Sequence, residues 1–172
     1  MYGLVNQAIR DLILERGGAE LWRRVRAASN LPFDEFVRMQ AYDDAVTFAM
    51  VRGAAAELGA TEPDLLRAFG RFWIAWVERD GFGALLDSGR TLGEQLRGLD
   101  TLHARLSASY PEFRAPVFTC DDTAEGWRVT YRSSRVGLGS MVAGMLEGLA
   151  LRHGQPVTVT PAGEGTFHVV RT

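Results

Sequence analysis

Residues 91–110 read TLGEQLRGLDTLHARLSASY. Thr91 and Glu94 form a capping box, in which each side chain satisfies a backbone donor that the first helical turn leaves unpaired. Leu92, Leu96, Leu99 and Leu106 follow at steps of four, three and seven. That spacing predicts an amphipathic helix ending near Tyr110, with Pro111 as its stop. His103 fills the missing step, four after Leu99 and three before Leu106. An imidazole therefore stands where a core side chain is expected, and burying it demands a partner for its nitrogens. Neutral imidazole is a good ligand for haem iron. On this feature alone a hydrogen-bonded core histidine is the commoner state.

Upstream of this stretch the chain is helical in pattern. Leu4, Val5, Ala8, Ile9, Leu12 and Ile13 recur at helical spacing, and Gly17-Gly18 stops them. Leu21, Trp22, Val25 and Ala28 predict a second helix, and Phe33, Phe36 and Val37 a third around 34–40. A fourth runs from Asp43 to Leu58 with Gly59 closing it. Thr61 with Asp64 caps a fifth that extends to about Asp80, rich in Leu65, Leu66, Phe69, Phe72, Trp73, Trp76 and Val77. Residues 81–89 read as turns. Downstream the texture changes. Residues 116–119 and 127–133 predict strands around a turn at 121–126, 136–152 a helix, and 157–160 with 167–170 a hairpin. The expected class is α+β, a helical N-terminal lobe (about 1–80) packed on a lobe with a small antiparallel sheet (about 81–172), the whole chain forming one domain.

The second chemical feature is Tyr131-Arg132-Ser133-Ser134-Arg135. In an extended segment, residues two apart share a face, so Tyr131, Ser133 and Arg135 would present a phenol, a hydroxyl and a guanidinium together. Such donors suit a carboxylate, which arginine holds with two parallel hydrogen bonds. A solvated strand end is the plain alternative.

Taken together, four segments resemble the H-NOX (haem–nitric oxide/oxygen binding) family, the haem domain type of soluble guanylate cyclase. They are Met1-Tyr2-Gly3-Leu4-Val5-Asn6, Leu102-His103-Ala104-Arg105-Leu106, Tyr110-Pro111 with Pro116, and Tyr131-x-Ser133-x-Arg135. Order, spacing and length are similar to a stand-alone bacterial member. The resemblance implies haem b between the two lobes and His103 as sole protein ligand to its iron. It implies propionates held by Tyr131, Ser133 and Arg135, and Pro116 pressing on the macrocycle. Oxygen-binding members carry a distal tyrosine on the helix after the Tyr-x-Ser-x-Arg motif. Aligning Gly144 with that helix's glycine puts Met141 at the tyrosine position, and methionine has no donor. Ile9, Phe72, Trp73, Leu138, Met141 and Met145 are then the expected pocket wall, in which only the Trp73 indole can donate. The expected ligands are nitric oxide and carbon monoxide, with dioxygen largely excluded. The expected output is relayed to a histidine kinase, diguanylate cyclase or chemotaxis protein, as the 91–110 helix loses its tether at His103.

Composition narrows the alternatives. Nineteen basic against 21 acidic residues, with no basic cluster, argue against a nucleic-acid face. One cysteine, Cys120, leaves no disulfide framework. Cytoplasmic placement is the expectation, with no signal peptide or membrane span in the pattern. Gly137-x-Gly139 before a helix imitates a dinucleotide loop but lacks the βαβ context. His153 at a helix end complements the helix dipole, His168 on a strand is read as solvent-facing, and neither is read as a ligand. No hydrolase elbow or clustered His and carboxylate appears, so a non-enzyme is expected. The remaining rival is a non-gas binding module holding another tetrapyrrole or apolar ligand in the same cavity.

Overall fold

A computed structural model describes residues 1–172 apart from Ser88 and Pro111. By contact the chain divides into two compact units, Met1–Phe69 and Gly70–Thr172. The expected stop at Pro111 lies outside the described residues.

The first unit holds α1 (Gly3–Ala28), α2 (Asp44–Leu58) and the start of α3 (Glu62–Val77). α1 is two helices joined at a kink, because Gly17 and Gly18 leave helical geometry, Gly18 at φ +65°. That is the interruption expected from the glycine pair, and only glycine takes the second conformation without strain. Ala8, Ile9, Leu12 and Ile13 before the kink, and Leu21, Trp22 and Val25 after it, are buried. Asp43 caps α2 by accepting from the Ala45 N–H, and Gly59 closes it in the left-handed conformation. The expected helix around 34–40 does not form; the segment is turns and irregular chain. Its backbone is used elsewhere. Gln40 and Arg38 carbonyls accept from the Gly3 and Leu4 N–H groups, supplying acceptors that the first turn of α1 lacks. Phe33, Phe36 and Tyr42 cluster edge to face or tilted, within 5.1–5.6 Å.

The second unit contains the rest of α3, a π-helical turn (Glu78–Phe82), a 3-10 turn (Gly83–Leu86), α4 (Leu92–Ser109), β1 (Val117–Asp122), β2 (Gly126–Arg132), α5 (Gly139–Arg152), β3 (Val157–Pro161) and β4 (Thr166–Arg171). The sheet is antiparallel in the order β1-β2-β4-β3. Phe118, Trp127, Val129, Val159, Phe167 and Val169 are buried, at the period of two that one covered face requires. α4 packs on β1 and α5 on β3. α5 begins at Gly139 rather than at 136. Val136 is 88% exposed, and Gly137 at φ +86° turns the chain before the helix can start. The architecture is α+β as expected. Among the described residues, no helix is long and apolar enough to cross a membrane.

Candidate functional site

The site is built on α4. Its capping box forms as the sequence requires: the Thr91 side chain accepts from the Glu94 N–H, and the Glu94 carboxylate accepts from the Thr91 N–H. Leu92, Leu96 and Leu99 of the stripe are buried. β1 runs antiparallel to the helix along its packed side. Arg97 pairs with Asp122 at 2.7 Å, and the Phe118 N–H donates to Asp100 Oδ1 at 3.1 Å.

His103 comes one turn later and is half-buried. Its Nδ1 lies 2.7 Å from the Leu99 carbonyl oxygen. A carbonyl only accepts, so Nδ1 carries the proton in that bond. Nε2 has no hydrogen-bond partner among the described residues. Two rings bracket the imidazole: Phe118, tilted, with centroids 5.0 Å apart, and Phe113, stacked at 6.2 Å and 16°. Burial holds His103 below the ordinary histidine value, against the opposing pull of the Leu99 carbonyl and the Asp100 charge. The ring is therefore neutral at pH 7, with its Nε2 lone pair available, the form in which histidine binds a metal.

Tyr131, the penultimate residue of β2, pairs with Phe118 across the strands, and its ring lies 5.3 Å from the Phe118 ring. His103, Phe118 and Tyr131 thus form one aromatic run. The extended run expected across Tyr131, Ser133 and Arg135 ends early, because β2 stops at Arg132. Beyond it the chain turns. The Arg135 N–H donates to Ser133 Oγ at 3.1 Å, and Arg135 Nη1 donates to the Arg114 carbonyl at 3.2 Å. Serine hydroxyls commonly close such local loops, which compete with an extended ladder. Pro116 is half-buried just before β1.

The expected wall residues fall on three helices. Ile9 is buried in α1 of the first unit. In the second unit, Phe72 and Trp73 are half-buried on α3, the Arg79 guanidinium standing 5.9 Å from the Phe72 ring and Trp76 stacking on Trp73 at 5.8 Å. Leu138 and Met141 are buried and Met145 half-buried at the start of α5. α3 and α5 touch through glycine: a Cβ on Gly70 would be driven into the Met141 carbonyl, and one on Gly148 would stand 2.9 Å from the Ile74 side chain.

Phe113 and Phe118, which bracket His103, were not among the residues expected from sequence. Alternation in β1 marks Phe118 as inward, but nothing local links it to His103. His153 caps the end of α5 as the sequence suggests; it is half-buried, and its Nε2–H donates to Gln95 Oε1 at 2.5 Å. His168 is exposed as expected. Cys120 is a half-buried strand cysteine, its thiol pushed up to about 11 by burial. Among the described residues, no cluster of three or more His, Cys, Asp or Glu could hold a free metal ion.

A family model described as Haem-NO-binding matches residues 2–161. The soluble guanylate cyclase gcy-33 of Caenorhabditis elegans is 32% identical over 152 residues, which cover 87% of this chain and 16% of that protein. The chain spans less than a quarter of the length of the curated relatives it matches. An H-NOX protein from S. oneidensis, crystallised in the Fe(II)NO ligation state, superposes with a TM-score of 0.86 at 18% identity, covering 100% of this chain and 98% of the other. The Fe(II) unliganded H-NOX protein from K. algicida gives 0.82 at 18% identity, covering 100% and 97%. At such identities the superpositions speak for the fold.

Proposed function

The chain belongs to the haem-NO-binding family, and on that premise we propose a gas sensor that holds haem b through His103. It takes nitric oxide and carbon monoxide, largely excludes dioxygen, and passes its state to a separate histidine kinase, diguanylate cyclase or chemotaxis protein. The observation that carries this reading is the state of His103: neutral, its Nδ1–H committed to the Leu99 carbonyl, and Nε2 without a partner. Such a bond on the far nitrogen fixes the tautomer and orients the ring for a metal.

Bound there, haem iron supplies an open coordination position for a diatomic gas. The chain's own residues do the rest. His103 gives the axial nitrogen, and Phe113 and Phe118 limit how far its ring can rotate. Tyr131, Ser133 and Arg135 answer the propionate carboxylates. Ser133 Oγ accepts from the Arg135 N–H, which leaves its hydroxyl proton to donate outward. Arg135 donates through Nη1 to the Arg114 carbonyl, and a guanidinium fork matches a carboxylate. Pro116 is assigned the contact that distorts the macrocycle, since its rigid ring cannot yield. Ile9, Phe72, Leu138, Met141 and Met145 present no hydrogen-bond donor, which disfavours dioxygen; Trp73 is the exception. The fit with haem rests on these features of His103 and its apolar surroundings.

The test is the absorption spectrum of the reduced protein before and after nitric oxide, beside His103→Ala. A Soret band that shifts with nitric oxide, is indifferent to air, and is lost or altered in the variant is the expected result. A stable dioxygen complex in air overturns the selectivity. A colourless protein that cannot take up added haem overturns the reading as a whole.

A further inference from the structure

The first turn of α4 and the sheet enclose a groove of about 240 Å³ that uses none of the residues assigned to haem. Trp127 forms part of its lining. The side chain is only 5% exposed, yet its indole N–H has no acceptor among the described residues. The indole nitrogen is not sealed off but opens onto the groove, so its N–H can donate to an occupant there. Gly93 is the reason the N–H is uncovered, since a Cβ there would stand 2.9 Å from the indole nitrogen. The Gly93 N–H itself belongs to the first turn of α4, where donors have no intrahelical acceptor and the helix dipole is positive.

Charge points the same way. Arg97 lines the groove but is committed to Asp122 at 2.7 Å. Arg171 also lines it, lies over the Trp127 ring at 4.3 Å, and has no carboxylate partner among the described residues. Two arginines against one aspartate leave one positive charge unanswered. Gln155 adds an amide at the edge.

We propose that this groove binds a small oxyanion, a carboxylate or phosphate group, held by the Trp127 indole N–H, the Arg171 guanidinium and the Gly93 N–H. Converging donors select a group made of acceptors, and a guanidinium fork matches a pair of oxygens. The volume lies below the ~300–1,000 Å³ of sites for drug-sized molecules, so the bound group is compact. It comes either from a free anion or from an acidic residue of a partner protein. An occupant here would brace the start of the helix that carries His103 against β2 and β4. The assignment stands apart from the haem reading, since it shares no residue with it.

The test titrates the ¹⁵N-labelled full chain with sodium phosphate at constant ionic strength, following the Trp127 indole N–H resonance, which Trp127→Phe identifies by its loss. A saturable shift of that resonance is expected, the other three indoles staying still. Arg171→Gln, at an exposed position, should weaken it roughly tenfold. Gly93→Ala should remove it. A second arm uses a glutamate-rich peptide: a tighter shift than with phosphate assigns the anion to a partner protein, and a shift with phosphate alone assigns a free anion, either supporting the site. No saturable shift with either probe overturns the proposal, as does an unchanged shift in an Arg171→Gln chain whose circular dichroism is native.

Discussion

The two halves of α4 are held in different ways. In the first half, Leu92, Gln95, Leu96 and Leu99 are buried, and the capping box fixes the start. Gln95, 1% exposed, donates to the Leu86 carbonyl at 2.5 Å and accepts from His153. In the second half no residue is fully buried; Leu102, His103, Leu106 and Ser107 are half-buried, and the His103 ring meets Phe113 stacked and Phe118 tilted besides its bond back to the Leu99 carbonyl. Burial of apolar area is the main stabilising term. The helix is therefore firm at its N-terminal end and weakly held where His103 sits. On the proposed reading His103 answers a ligand, and it sits at the weaker end, as elements that respond are drawn from regions of low local stability.

Cys120 offers the largest test of that contrast. It sits in β1 between Phe118, which touches His103, and Asp122, which pairs with Arg97. With its thiol near 11, it is almost wholly protonated at pH 8. Alkylation there should run roughly a hundredfold slower than for a free cysteine and rise about tenfold per pH unit toward that value. The sign follows for stability as well: the folded state keeps a proton that the unfolded chain gives up above ~8.5, so stability falls as pH rises past that point. Fast alkylation at pH 8 would mean that β1 opens beneath α4.

Truncation comes next in size. Leu96→Ala should cost about 2–5 kcal/mol in urea unfolding, because it leaves a cavity in the sealed half. Leu106→Ala, half-buried, should cost about 1 kcal/mol. Equal costs would abolish the distinction between the halves. Smallest is Thr91→Ala, expected at about 1 kcal/mol or less, from loss of the cap that starts the firm end. Its haem spectrum should match the parent; a changed Soret band would show that the two ends communicate through the helix.

The part of this arrangement that depends on neighbours in sequence was legible. The stripe of α4, its cap, the break at Gly17-Gly18 and the hairpin of β3 and β4 follow from residues a few positions apart. His103 was found because it interrupts a local period. The misses came from contacts between distant residues. Residues 34–40 have helical spacing, but their carbonyls are drawn to the start of α1. Ser133 and Arg135 have strand spacing, but the serine hydroxyl takes the Arg135 N–H and bends the chain. Phe118 beside His103 and Gly93 beside Trp127 are 15 and 34 positions apart, and no periodicity joins them. The donors Tyr131, Ser133 and Arg135 were legible in advance, while the turn that follows Arg132 was not.

The crossing of α3 and α5 has a mechanical consequence. At Gly70 the backbone meets the Met141 carbonyl directly, with no side chain between them. Side chains act as compliant spacers, because rotamers can adjust when a helix shifts. Here that cushion is missing, so a displacement of α5 at Met141 is transmitted to α3 with almost no give. The joint works like a hard bearing, stiff in compression, and any residue larger than glycine at position 70 would force its two members apart.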